Sequence, residues 1–298
     1  MRDAAHSRTV CEVLREINDI HQGDTQIDIS TRAMLREAVD MAKRMDRRLK
    51  EYNQEWDKDW WENNPNVNDD IERRMAVDYL AMDDDTIPEA IRRIPSMGGR
   101  EIGRYLREWA ARAQKGQAIV ELGSWLGAGT AQLALGVAQS KRGVVVHAFD
   151  RFKANQSEIQ KAATHGIVVK AGDSTVDLVR GLITPSLAEH VAFHQGEIMK
   201  AKWNGQPIAV YVDDACKREK EFLHALRTFG PSFIPNETVI VLMDFWYFER
   251  YPEDRGLRFQ HDWMKKNINH FEHTQGRMPG TSATVFRYLR GKPWAEVK

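Results

Sequence analysis

The stretch Glu121-Leu-Gly-Ser-Trp-Leu-Gly-Ala-Gly-Thr130 decides how the chain is read. It follows a short apolar run over 118–122 and precedes a helical pattern over 130–138. Glycine lets the backbone turn sharply and approach a ligand with no Cβ in the way. In an open α/β sheet, ligands gather at the carboxyl ends of the strands, where Gly123, Gly127 and Gly129 stand. Their order is G-x-x-x-G-x-G. A dinucleotide turn needs G-x-G-x-x-G, and a P-loop needs a Lys before its final Ser or Thr, whereas Gly129 here precedes Thr130 directly. Neither common phosphate loop fits. The plain alternative for the glycines is an ordinary tight strand-to-helix turn.

Working outward, short apolar runs recur at 144–149, 191–193, 208–212 and 239–243. Asp150, Asp213-Asp214 and Asp244 follow the first, third and fourth of these. Short buried runs separated by helical stretches, here 130–138 and 217–229, predict a doubly wound, mostly parallel α/β sheet. Residues 270–289 read as two strands joined by Gln275-Gly-Arg-Met-Pro-Gly280, an antiparallel pair at the sheet edge. The third strand has two readings. One is 191–193, followed by Gln195-Gly-Glu197; the other is 167–170, followed by Gly172-Asp-Ser174.

Residues 1–99 read as an α-helical region, a cap or an oligomerisation element, ahead of the α/β domain at 100–298. Val10, Val13, Leu14, Ile17 and Ile20 keep helical spacing, as do Leu35, Ala38, Ala42, Met45, Leu49 and Tyr52. Thr86-Ile-Pro88 starts a further helix, since proline suits a first turn, and Ile102, Leu106 and Trp109 mark another. These amphipathic helices suit a homo-oligomer.

Composition sets limits. Of 298 residues, 42% are hydrophobic and 29% charged, as in a folded globular protein. Lys plus Arg equals Asp plus Glu at 43 each, so no global basic field exists to hold nucleic acid. Two cysteines, Cys11 and Cys216, make neither a disulfide framework nor a CxxC zinc site, which favours a cytoplasmic home. No apolar run approaches the roughly 20 residues of a membrane span. The start, Met-Arg-Asp-Ala-Ala-His, has no apolar signal segment.

The pattern Glu121-x-Gly123-x-x-x-Gly127-x-Gly129-Thr130 resembles motif I of class I S-adenosylmethionine-dependent methyltransferases, over roughly residues 100–289. That resemblance implies a Rossmann-like methyltransferase fold whose motif I loop, including Ser124 and Trp125, wraps the methionine part of S-adenosylmethionine. It implies that Asp150, with Arg151 beside it, meets the ribose hydroxyls, and that Gln195, Gly196 and Glu197 lie at the adenine. Tyr-Val-Asp-Asp-Ala-Cys-Lys217 and Leu-Met-Asp-Phe-Trp246 resemble the corresponding motifs of metal-dependent O-methyltransferases, nearest the macrocin O-methyltransferase-like sugar-modifying group. Asp213 then matches the acid at the fourth strand and Asp244 the acid at the fifth. With Asp214 they form a candidate Mg2+ set, since hard cations take carboxylate oxygens and water. The chain departs from the pattern. Phe245 stands where an Asp or Asn is common, and Ala215 or Cys216 where a His is common, which leaves Mg2+ open.

For catalysis, Asp213 is the expected base, also placed beside the cofactor, and Lys217 a second candidate. The plain alternative for Lys217 is a solvated lysine opening a charged helix. The expected activity is methylation of a hydroxyl on a sugar or other small molecule. Two alternatives stay open: metal-free methylation of an amine, and a non-catalytic, cofactor-sensing protein that binds a partner. No spacing singles out His165, His194, His224 or His261. Trp56, Trp60 and Trp61 suit a core as well as a lid, and the aromatic stretch 244–254 suits an acceptor pocket as well as packing.

Overall fold

The structure is a computed structural model, and it describes residues 87–96, 102–251, 254–278 and 281–296. The expected helices before residue 87, the three tryptophans Trp56, Trp60 and Trp61, and Cys11 lie outside the described residues.

Strands β1 (Ala118–Leu122) and β4 (Ile208–Asp213) are buried at every position. Their near-continuous apolar character follows, because a parallel strand in the middle of a sheet is covered on both faces. Strands β2 (Val145–Asp150), β3 (Val191–Gln195) and β5 (Val239–Leu242) complete the parallel part. The order is β3-β2-β1-β4-β5-β7-β6, with β6 (Phe271–Gln275) and β7 (Thr284–Tyr288) at one edge. This is the doubly wound, mostly parallel sheet expected from the sequence. The expected antiparallel pair lies at the sheet edge: β7 runs antiparallel to both β5 and β6, and β6 is outermost. The third strand takes the 191–195 reading, and 167–170 form no strand.

Helix α1 (Glu89–Arg92) begins directly after Pro88, as the first-turn proline suggests. Helix α2 (Gly103–Arg112) and helix α3 (Ala128–Ser140) cover one face of the sheet. Helix α3 is buried continuously from Thr130 to Val137, as befits a helix apolar all round. Ile87, Ile91 and Ile94 pack into the same core as Leu126, Ala131 and Ala134 of the α3 region. Between β2 and β3 lie α4 (Gln156–Ala163), α5 (Val176–Leu182) and α6 (Pro185–Ala188). None of the three was read from the sequence. The Asn155–Glu158 capping box that opens α4 is the signal that marks it. On the opposite face, Phe222, Ala225, Leu226 and Phe229 form the buried stripe of α7 (Glu219–Phe229). Phe229 meets Phe149, Trp203 and Tyr211 there. Helix α8 (Phe259–Lys266) follows β5. No helix among the described residues is long and apolar enough to cross a membrane.

Helices α2 and α3 touch backbone to backbone at Gly136. A Cβ there would come within 2.1 Å of the Arg107 carbonyl oxygen and 3.0 Å of Ala110 Cβ. Alanine is the better helix former by about 1 kcal/mol, but overpacking costs on the order of 1–3 kcal/mol. Gly136→Ala is therefore expected to lower the urea midpoint rather than raise it.

Candidate active site

The strand order reverses its winding between β1 and β4, and an open α/β sheet has its crevice at that point. A cavity of about 1180 Å3 opens there. Single small-molecule pockets run to roughly 300–1,000 Å3, so the cavity is large enough for a drug-sized ligand with room to spare. Gly123, Trp125, Asp150, Arg151, Gln195, Gly196 and Glu197 line one part. Asp214, Lys217, Asp244 and Tyr247 line another. A smaller recess of about 80 Å3 continues behind the loop, reaching Glu121, Ser124 and Gly129.

The glycines have separate tasks. Gly123 has φ +89°, and a Cβ on it would sit 2.9 Å from the Asp214 carbonyl, so the loop lies directly against the end of β4. Gly127, at φ +88°, caps α3, and a Cβ there would strike Val179 and Ile183 of the neighbouring helix. Gly127 and Thr130 line neither cavity. They shape the loop from behind, a role different from the cofactor contact expected of them.

Asp150 holds the loop. Its Oδ2 accepts from the backbone N–H of Ser124 (2.8 Å) and Trp125 (3.1 Å), and its Oδ1 from the N–H of Phe152 (2.6 Å). Trp125 and Phe152 both have φ +46°, a left-handed conformation that side chains rarely adopt. Such backbone costs on the order of 1 kcal/mol or more and persists where surrounding structure imposes it. Here one carboxylate fixes both residues. A carboxylate has about four acceptor positions, so after three backbone bonds about one is left for a ligand hydroxyl. Gln195 adds bonds to Ser174 and to the Arg151 carbonyl, both at 3.3 Å, and Arg151 pairs with Glu158 at 3.4 Å.

Glu121 lies beneath the loop, 3% exposed. Burial pushes its carboxyl up to about 8, against the opposing hydrogen bonds from Thr130 and Ser124. Both hydroxyls donate to Oε2, while Oε1 lies 2.6 Å from where a Cβ on Gly129 would be.

The two adjacent aspartates part company. Asp213, on the same face of β4 as Tyr211, is 1% exposed and lines neither cavity. Its Oδ1 accepts from the N–H groups of Ala215 (3.2 Å) and Cys216 (3.0 Å). Burial raises its carboxyl above the usual range, partly offset by those bonds. The expectation that Asp213 serves as base, cofactor contact or metal ligand does not fit this placement. Asp214 is the acid that lines both cavities. Burial raises it too and Lys217 opposes the rise, although its side chain keeps about a third of its surface (36%).

Lys217 does not stand as a free base. Its Nζ donates to the Asp214 carbonyl (2.9 Å), to Asp214 Oδ1 (3.3 Å) and to Asp244 Oδ2. Burial works to lower the ammonium, but Asp214 and Asp244 outweigh it and hold it well above its ordinary value. A lysine kept charged takes no proton from an acceptor. The donors for Mg2+ do not assemble either. Asp213 is turned away, Phe245 is buried, and the facing oxygens of Asp214 and Asp244 hold the ammonium. Among the described residues no group of three or more His, Cys, Asp or Glu is placed to hold a metal.

The aromatic stretch splits. Phe245, Trp246 and Phe248 are buried, whereas Tyr247 faces the cavity with Leu257 and Phe259. Of the histidines, His194 lines the cavity; its Nε2 lies 3.0 Å from His147 Nδ1, and burial lowers both rings' affinity for a proton. That pair is invisible in sequence spacing, because adjacent strands bring it together.

No family model matches the chain, and no curated protein is similar to it in sequence. The solved structures it resembles include methyltransferases. The O-methyltransferase NovP is 15% identical, over 64% of this chain and 80% of that one, with a TM-score of 0.45. The SAH-bound methyltransferase PaMTH1 of Podospora anserina is 11% identical over 83% and 96%, with a TM-score of 0.42. The CcbJ methyltransferase of Streptomyces caelestis is 14% identical over 65% and 99%, with a TM-score of 0.39. At these values no residue role passes from them to this chain.

The raised carboxyl of Glu121 has a stability consequence. Between its ordinary pKa near 4.5 and about 8, the native protein keeps a proton that the unfolded chain has released. Folding stability contributed by this group therefore falls as pH rises through that window, by ~1.4 kcal/mol per pH unit at most. Glu121→Gln removes the slope. Chemical denaturation at pH 5 and pH 8 should show the variant gaining on the parent protein with rising pH.

Proposed function

We propose that this protein transfers a methyl group from S-adenosylmethionine to a hydroxyl of a small molecule or saccharide, with Asp214 as the base and without a metal. The observation that carries this reading is the state of the loop's N–H groups. A loop that cradles phosphate offers free backbone N–H donors. Here those of Ser124 and Trp125 are taken by Asp150, and Glu121, Asp214 and Asp244 stand nearby. Such a loop has no free donor left for phosphate and offers carboxylate oxygens to a ligand that carries hydroxyls and positive charge. S-adenosylmethionine has both, a ribose and a sulfonium.

When bound, the cofactor supplies an activated methyl group. The chain supplies placement. Asp150 retains acceptor capacity for a ribose hydroxyl, and Gly123 leaves room for the backbone to lie against the ligand. Asp214, at the junction of the two cavities, is placed to take the hydroxyl proton as the acceptor oxygen attacks. Its raised affinity for a proton suits it to that task near neutral pH. Tyr247 and Phe259 give the acceptor side an apolar wall, on which a sugar or other ring can lie.

The test uses S-adenosylmethionine with a labelled methyl group and matched panels of hydroxylated and amine acceptors. Label should pass to a hydroxyl. Asp214→Asn should cut kcat by roughly 10²–10⁴-fold while the KM for the cofactor moves little. Label passing only to amines, or an unchanged kcat in the variant, contradicts the reading. The rate should also fall on the acid side at a pH above the ordinary carboxylate range, because Asp214 must be unprotonated to act.

A further inference from the structure

We infer that the Lys217 ammonium is the built-in cation of this cavity, occupying the acidic pair Asp214 and Asp244 in place of a divalent metal. All three of its N–H bonds are directed at oxygen: the Asp214 carbonyl, Asp214 Oδ1 and Asp244 Oδ2. Those oxygens are the ones a hard cation would take from these strand ends. The lysine reaches them because α7 begins late. The sequence pattern allows a helix from residue 217, but the helix starts at Glu219, and Lys217 stays in the turn after β4. Glu221 holds it there by accepting the Lys217 backbone N–H at 3.1 Å. Phe245, following Asp244, is buried against Trp246, Phe286 and His261 and offers no oxygen.

Competition favours the lysine. A tethered group acts at a high effective concentration, whereas free Mg2+ must displace it and then bind two carboxylates with no third. More than half of the Lys217 side chain is exposed (57%), so its head sits at the cavity wall rather than deep in the protein. Removing the head should therefore uncover two converging carboxylates without opening the core.

This inference concerns the same cavity as the methyl-transfer reading, but its test needs no turnover, so either can fail alone. Mn2+ serves as the probe, measured by calorimetry and by the loss of free-ion electron paramagnetic resonance signal. The full-length protein should show no saturable site at millimolar Mn2+. Lys217→Met should bind one Mn2+, at least roughly tenfold more tightly than the parent, and the further change Asp244→Asn should abolish that site. Lys217→Gln, which keeps a polar head, serves as the second variant if circular dichroism shows that the Met variant is not folded. Stoichiometric Mn2+ binding by the parent protein that Asp244→Asn removes would overturn the inference. So would folded Lys217 variants that bind no better than the parent.

Discussion

The carboxylate of Asp150 is the interaction on which the site depends. It ends β2 and collects N–H donors from the loop after β1 and from its own exit, tying Ser124 and Trp125 to Phe152. Two residues in left-handed conformation, Trp125 and Phe152, are held by that one side chain. Without it, three buried or half-buried N–H groups would lose their partner, at about 1–3 kcal/mol for each one left unsatisfied. Neutralising the carboxylate would release both walls of the cavity together.

The same interaction sets which groups the loop presents to the cavity. A glycine-rich turn ahead of a helix ordinarily presents donors and attracts anions. Capping those donors with a carboxylate reverses the preference, and Glu121 beneath the loop adds a group that ionises more readily when a cation is near. At the opposite wall, two further acids are partly neutralised from within by Lys217. The cavity thus carries carboxylates at both walls, with Arg151, Lys161, Lys200 and Lys202 also along its lining.

Much of this was legible in the sequence. The run 118–122, the glycine spacing and Asp150 placed the loop, because a central parallel strand must be apolar and the turn after it must be glycine-rich. The pair Asp213-Asp214 was not resolvable. Strand β4 is buried on both faces, so Ala209, Val210, Tyr211 and Val212 give no alternation to tell which aspartate faces the crevice. The bonds of Lys217 to Asp244 and of His147 to His194 were hidden for another reason: both join residues far apart in the chain that neighbouring strands bring together. Helix α5 escaped because it is short and has no side-chain cap. In the stretch 244–254, aromatic content alone could not separate Tyr247, at the cavity, from Phe245 and Trp246 in the core.

A crystal structure of the protein grown with S-adenosylhomocysteine tests the central claim most directly. The account predicts ribose density within hydrogen-bond distance of Asp150, with the homocysteine portion running along Gly123 to Trp125 towards Asp214. Density for the ligand elsewhere, or a loop whose Ser124 and Trp125 N–H groups turn away from Asp150 to meet an anion, would contradict it.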